Sequence, residues 1–228
     1  MQGESPRTNV RGDVLQIRHA GDRKIPDMKT IFLDFGNVIG FFDHDRAVRQ
    51  LVAHTDMPAV ELESKLYSGP LAEDYDSGRI STTEYLDRAI ALANLSCSPD
   101  EFVAMYTDIF WPNPDVCELV PRLAKKYRLV LASNTNDAHY SRLTTMFADV
   151  LGHLDHRVAS HLVGAKKPRP EFYERAQAFA NADPHECVLV DDLPKNIAGA
   201  ELHGWKGVLY RSGDRLADRL LAAGVSFD

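Results

Sequence analysis

The chain is short of cysteine, of long apolar runs and of charge concentrated in one sign, and each shortage closes off a class of protein. Cys97, Cys117 and Cys187 are the only cysteines in 228 residues. An odd, widely spaced set is neither a disulfide framework nor a zinc site. Cys187 opens an apolar run and reads as a small core residue, and a reducing compartment suits all three. No apolar stretch approaches the roughly 18 residues of a membrane span, and the N-terminus has no hydrophobic signal region. The expected location is cytoplasmic, with no membrane partner. Net charge is -7, with acids and bases interspersed. Without a basic patch, nucleic acid is not an expected partner either. An anionic substrate would have to be drawn by a local site, not by the field of the whole protein. Internal repeats and low-complexity tracts are also lacking.

What is present is ordinary globular composition, 44% hydrophobic and 26% charged, in a length that suits one α/β domain or one domain with an insertion. Residues 1–27 are polar and aperiodic, and are expected to be a disordered or weakly held extension. Met28 is expected to open the folded unit and is a candidate start of translation. Thr30-Ile31-Phe32-Leu33 reads as a buried strand. A helical stretch follows, opened by Arg46 to His54. Ser81-Thr82-Thr83-Glu84 and Ser98-Pro99-Asp100-Glu101 are capping boxes, predicting helices over about 81–93 and 98–109. Asn113-Pro114 starts another.

The pattern then alternates. Strands are expected at Tyr127–Ala132, Val188–Val190 and Gly207–Tyr210. Helices are expected near 137–147, 170–181, 194–203 and 214–223, with a less regular connection from Val158 to Val163. Strands alternating with helices predict an α/β fold, a three-layer Rossmann-like parallel sheet. The helical block interrupts that sheet after its first strand. The expected division is a core of residues 28–43 and 112–228 with an inserted helical subdomain at 44–111.

Three predicted strand ends carry polar residues. They are Asp34, then Ser133-Asn134-Thr135-Asn136, then Asp191-Asp192. Lys166-Lys167-Pro168 precedes a helix between the last two. Parallel strands put their carboxyl ends on one edge, so these groups can converge. Asp34 is a candidate nucleophile. A carboxylate approaching a phosphate dianion meets charge repulsion, which a magnesium ion on oxygen ligands relieves. Asp34 and the Asp191-Asp192 pair can supply such ligands. Ser133 and Lys167 can bind the phosphoryl oxygens, joined by backbone N–H groups at helix starts.

In this order and spacing, these residues resemble the four motifs of the haloacid dehalogenase-like hydrolase superfamily, which is mostly phosphatases. The likeness covers about residues 29–211. Asp34-Phe35-Gly36-Asn37-Val38-Ile39 resembles the first motif, Ser133-Asn134 the second, Lys167 before Pro168 the third, and Asp191-Asp192 with Asn196 the fourth. Within the superfamily the match is most similar to the sugar-1-phosphate phosphatases, relatives of the epoxide hydrolase N-terminal domain. The resemblance implies a four-helix cap in the helical block and a Mg2+-dependent phosphatase acting on a small phosphorylated metabolite, a sugar phosphate among the candidates, through an aspartyl-phosphate. It implies Asp34 as nucleophile and metal ligand, the Gly36 carbonyl as second ligand and Asp192 or Asp191 as third. Ser133, Lys167 and amides near Phe35 and Asn134 would hold the phosphate.

One departure stands out. Most phosphatases of the family carry a second aspartate two residues after the nucleophile, as acid and base, and here that residue is Gly36. General acid–base catalysis is typically worth about 10²–10⁴-fold. Either the substrate has a leaving group that needs little help, or another acid stands in. Asp43 is the first candidate and His44 the second, since histidine titrates near neutrality. Asp43 equally suits a helix N-terminus. His139, Tyr67 and Tyr75 suit either packing or substrate contact, and Trp111 and Trp205 suit packing at the cap hinge and the sheet edge. Two further readings are a haloacid dehalogenase, for which the Asp191-Asp192 pair would be useless without a cation, and a phosphoryl-binding protein that has lost catalysis with Gly36.

Overall fold

Every residue of the first strand, Thr30–Leu33 (β1), is buried, because it is the middle of a sheet. A computed structural model of the chain describes residues 28–227; the extension expected at residues 1–27 lies outside them. After β1 come β2 (Gly40–Phe42) and the helices α1 (His44–Leu51), α2 (Ala59–Tyr67), α3 (Pro70–Asp76), α4 (Thr82–Leu92) and α5 (Pro99–Tyr106). Then follow β3 (Phe110–Pro112), α6 (Pro114–Leu123), β4 (Arg128–Ser133), α7 (Asp137–Met146), α8 (Ala148–Leu151), β5 (His156–Ala159) and α9 (Ser160–Val163). The chain continues through α10 (Pro170–Gln177), β6 (Cys187–Asp191), α11 (Pro194–Leu202), β7 (Lys206–Leu209) and α12 (Leu216–Ala222).

The main sheet is five-stranded, in the order β5-β4-β1-β6-β7, and all its pairings are parallel. Successive side chains of a strand point to opposite faces, and the two faces are packed differently. Ile31 and Leu33 join Leu129, Leu131 and Val190 against Val116 and Val120 of α6. Phe32, Val130 and Leu189 join Phe172, Tyr173 and Ile197 of α10 and α11. Helices on both faces make the expected three layers. Trp205 stacks on Phe32 at 4.0 Å, so it packs against the sheet as expected. Among the described residues, no helix is long and apolar enough to cross a membrane.

The helical insertion lies between β2 and β3, which pair antiparallel as a short ribbon. It contains four helices of eight to eleven residues and the seven-residue α3. Both expected capping boxes are present, at Ser81 and Ser98. Two features differ from the sequence reading. The connection expected at Val158–Val163 is the second half of an edge strand, β5, followed by α9; the polar His156 and Arg157 hide the alternation of the strand. The β2–β3 ribbon also goes beyond the expectation, because three-residue strands are too short to show a period.

Candidate active site

The register of the sheet assembles the site. Leu33 pairs with Leu131 on one side and Val190 on the other. The next residue, Asp34, therefore leaves β1 level with Asp191, and its N–H donates to the Val190 carbonyl at 2.9 Å. Lys167 lies between the two acids. Its Nζ is 2.5 Å from Asp191 Oδ2 and 3.1 Å from Asp34 Oδ1. Asn134 fixes the Lys167 backbone from both sides: its Nδ2 donates to the Lys167 carbonyl and its Oδ1 accepts from the Lys167 N–H, each at 2.8 Å. Both oxygens of Asp191 are engaged, Oδ2 by Lys167 and Oδ1 by the N–H of Leu193 and by Asn196 Nδ2, each at 2.9 Å. Asp192 has one oxygen on Asn37 Nδ2 at 2.9 Å, and no other described residue donates to its carboxylate. The two acids, which the sequence left interchangeable, are thus distinguished: Asp191 anchors the lysine and Asp192 is open to a ligand.

Charge is unbalanced here. Three carboxylates face one ammonium. Burial pushes the Asp34 carboxyl up to about 7, with Lys167 pulling it down and Asp191 and Asp192 pushing it further up. Burial likewise raises Asp192, and Asp191 adds to the effect. Burial opposes the charge on Lys167, but the Asp191 and Asp34 carboxylates overcome this and hold its pKa above the usual lysine value. Asp34, Asp191 and Asp192 each offer an oxygen within 4.8 Å of the others. The Gly36 carbonyl accepts no hydrogen bond from the described residues. A hard divalent cation, which takes oxygen ligands and offsets clustered negative charge, fits this donor set.

The Ser133 hydroxyl makes no hydrogen bond to the described residues and lines a cavity of about 150 Å3 in front of this edge. The Phe35 N–H, expected to bind phosphate, instead donates to Asp34 Oδ1 at 2.7 Å. The far wall is aromatic: His44 stacks on Tyr67 at 3.8 Å, Tyr67 on Tyr106 at 5.1 Å and Tyr106 on His139 at 4.4 Å. His139 is buried and fully committed. Its Nε2 donates to the Tyr106 carbonyl at 3.1 Å and its Nδ1 accepts from Asn136 Nδ2 at 3.2 Å. Burial holds its pKa down to about 4.

Asp43 is corrected. It is the N-cap of α1, accepting from the Asp45 N–H at 2.9 Å, and it sits 3.6 Å from Arg49 with 41% of its side chain exposed. It does not line the cavity, whereas the next residue, His44, does. The chain turns at this helix start, so neighbouring side chains point opposite ways. Tyr75 is buried, its hydroxyl accepting from the Ala138 N–H at 2.9 Å. Trp111 is part of the β2–β3 ribbon and packs loosely, 37% exposed.

Sequence reasoning gave no role to four contributors: Asn37, Asp76, Lys166 and Glu73. Asn37, which orients Asp192, adopts a left-handed backbone with φ 55, a conformation asparagine tolerates better than most residues. Its place within Asp-x-Gly-Asn was the available signal. Asp76 at the end of α3 reaches Asn136 Nδ2 at 3.1 Å and Lys166 Nζ at 2.9 Å. Lys166 also holds Glu73 at 3.0 Å. These bonds tie the helical insertion to the sheet edge across about ninety residues of sequence, and no local pattern announces them.

A family model described as haloacid dehalogenase-like hydrolase matches residues 28–204. The chain is similar to a D-ribitol-5-phosphate phosphatase of Bacteroides thetaiotaomicron, 26% identical over 183 residues, covering 77% of this chain and 88% of that protein. Its fold is similar to that of a HAD family enzyme from the same organism, crystallised in complex with magnesium and inorganic phosphate. That match has a TM-score of 0.73 and 21% identity, covering 82% of this chain and 96% of the other. An L-2-haloacid dehalogenase also shares the fold, with a TM-score of 0.58 and 21% identity over 82% of this chain and 86% of the other.

Proposed function

The chain belongs to the haloacid dehalogenase-like hydrolase family, and from that premise we propose that it is a magnesium-dependent phosphatase of small phosphorylated metabolites, sugar or sugar-alcohol phosphates foremost. The observation that carries the reading is the charge imbalance at the sheet edge: Asp34, Asp191 and Asp192 within 4.8 Å around one lysine. A site built to displace halide from a carbon would have no use for the extra acids. The similarity to a D-ribitol-5-phosphate phosphatase supports the substrate class. The cavity of about 150 Å3 lies below the roughly 300–1,000 Å3 of common ligand pockets, which favours a small substrate. In this reading, residues 44–111 form the cap over a core of residues 28–43 and 112–228.

Asp34, the Gly36 carbonyl and Asp192 would hold the Mg2+, with Asp191 behind them. The ion, when bound, relieves the repulsion between the Asp34 carboxylate and the phosphate dianion. Asp34 attacks phosphorus and the bond to the leaving oxygen breaks. Lys167 and the Ser133 hydroxyl bind the phosphoryl oxygens as charge spreads over them. Phe35 and Asn134 bound the phosphate position, Asn134 by keeping Lys167 in place. Water then hydrolyses the aspartyl-phosphate.

The test is release of inorganic phosphate from an aryl phosphate with Mg2+, with EDTA, and after Mg2+ is restored, beside halide release from a 2-haloacid. Metal-dependent phosphate release is expected. EDTA-resistant halide release would replace the reading with a dehalogenase, and neither activity would leave a phosphoryl-binding protein. A panel of phosphorylated metabolites then identifies the substrate.

A further inference from the structure

Gly36 leaves the nucleophile without its usual neighbouring acid, and the structure shows what fills the space. A Cβ placed on Gly36 would lie 2.9 Å from Phe42 Cε1. A side chain there would have to displace that ring. The Phe42 ring in turn lies 5.2 Å from the His44 imidazole. His44 opens α1 and lines the same cavity as Gly36, Ser133 and Asn134.

The other titratable groups of this cavity are already committed. Asp76 is held by Asn136 and Lys166. Both nitrogens of His139 are hydrogen-bonded. Tyr67 donates to the Tyr106 carbonyl, Tyr106 accepts from Asn136, and burial raises both phenols well above the ordinary tyrosine range. Neither ring nitrogen of His44 has a hydrogen-bond partner among the described residues. Its ring is fixed instead by face-to-face stacking on Tyr67, at 3.8 Å and 10°, which leaves the nitrogen edge free to exchange a proton.

We propose that His44 is the acid and base of the reaction, in the place of the carboxylate that Gly36 lacks. The proposal rests on the phosphatase reading above. In the first step Asp34 forms its bond to phosphorus, the bond to the leaving oxygen breaks, and the imidazolium proton passes to that oxygen to release an alcohol. In the second step the neutral imidazole takes a proton from water as the water oxygen bonds to phosphorus. The Asp34–phosphorus bond breaks, freeing the carboxylate and inorganic phosphate, and His44 is again protonated. Burial lowers the His44 pKa, while Asp76 of α3 and Asp43 and Asp45 of its own helix raise it. Tyr67, Tyr106 and His139 face it from α2, α5 and α7. Burial is the largest of these effects and keeps the pKa below the ordinary histidine value; a phosphate dianion entering the cavity would counter it and favour the imidazolium.

The experiment uses the full chain with Mg2+ and compares His44→Gln and His44→Asn with the wild type. The substrates are p-nitrophenyl phosphate, whose leaving group needs little proton assistance, and glycerol phosphate, whose alkoxide needs much. For glycerol phosphate, kcat should fall about 10²–10⁴-fold with KM changed far less. With the aryl substrate, rapid mixing should show a burst of one nitrophenol per enzyme and then slow turnover, because the aspartyl-phosphate waits for its base. Unchanged kcat on both substrates overturns the proposal. So does an equal loss on both without a burst, or a loss that tracks a lowered melting temperature in both variants, since either assigns His44 to packing. A wild type without Mg2+-dependent phosphate release removes the phosphatase reading and this role together.

Discussion

Replacing Asp34 with asparagine should destroy activity and, in EDTA, make the protein more stable. The carboxyl is raised from its ordinary 3.8 to about 7, chiefly by burial. At about 1.36 kcal/mol per pKa unit, ionising it in the folded chain costs about 4 kcal/mol relative to the unfolded chain. Asparagine keeps an oxygen for the Phe35 N–H but buries an amide of its own, so roughly half of that gain should survive. For a chain of this length, about 2 kcal/mol corresponds to about 4–8 °C in Tm. The sign fixes the pH window. A carboxyl whose folded pKa is raised holds its proton more tightly in the folded state. Its contribution is fully present below pH 3.8 and is lost as pH rises towards about 7. The advantage of Asp34→Asn should therefore be absent near pH 4, grow to about pH 7 and then level off. Excess Mg2+ should narrow the gap, because the wild-type carboxylates gain the cation. Thermal unfolding by circular dichroism, in EDTA across this range, measures it. A variant no more stable than the wild type at pH 8, or an advantage independent of pH, would refute the charge argument.

Lys167→Met should cost about 3–5 kcal/mol in urea unfolding at pH 8 without metal, because Asp34 and Asp191 are left buried without their cation; a loss under about 1 kcal/mol would contradict the pairing at 2.5 and 3.1 Å. Asn37→Gly accommodates φ 55 but removes the bond that aims Asp192. It should raise the Mg2+ concentration for half-maximal activity about 10–100-fold, and an unchanged Mg2+ titration would detach Asn37 from the metal. Asp43→Ala should lose about 1 kcal/mol of helix capping and leave kcat within about twofold; a large fall in kcat would return Asp43 to the mechanism.

The sheet edge was legible in the sequence because it depends on local signals that add up. Each buried strand announces itself as an apolar run, each ends in a polar residue, and parallel pairing brings those ends together without further information. Asp34, Ser133, Lys167 and Asp191-Asp192 therefore converge as the sequence reading expected. The helical insertion was legible as helices, through the Ser81 and Ser98 capping boxes, and was expected as a cap from the family resemblance, but which of its side chains line the cavity was not legible. How the chain enters α1 decides whether Asp43 or His44 lines the cavity. That choice is made by Tyr67, Tyr106 and His139, residues 23, 62 and 95 positions beyond His44, so no window of sequence contains it. The link from Asp76 to Lys166 is lost to sequence reading for the same reason.

Fold likeness does not choose the chemistry, since a dehalogenase and a magnesium-bound HAD enzyme both superpose on this chain. The choice rests on how the acids at one edge are occupied. Had Asp191 and Asp192 both been engaged by protein donors, neither would be open to a cation. Asp191 is so engaged, through Leu193, Asn196 and Lys167. Asp192 is not: Asn37, in a left-handed backbone, takes one of its oxygens, and no other described residue donates to the second. A half-buried carboxylate kept open beside a buried one is costly unless something positive visits the site. Burial, together with the Asp191 and Asp192 charges, raises the pKa of Asp34, Asp192 keeps one oxygen unengaged by other described residues, and a divalent cation bound there would offset the clustered charge.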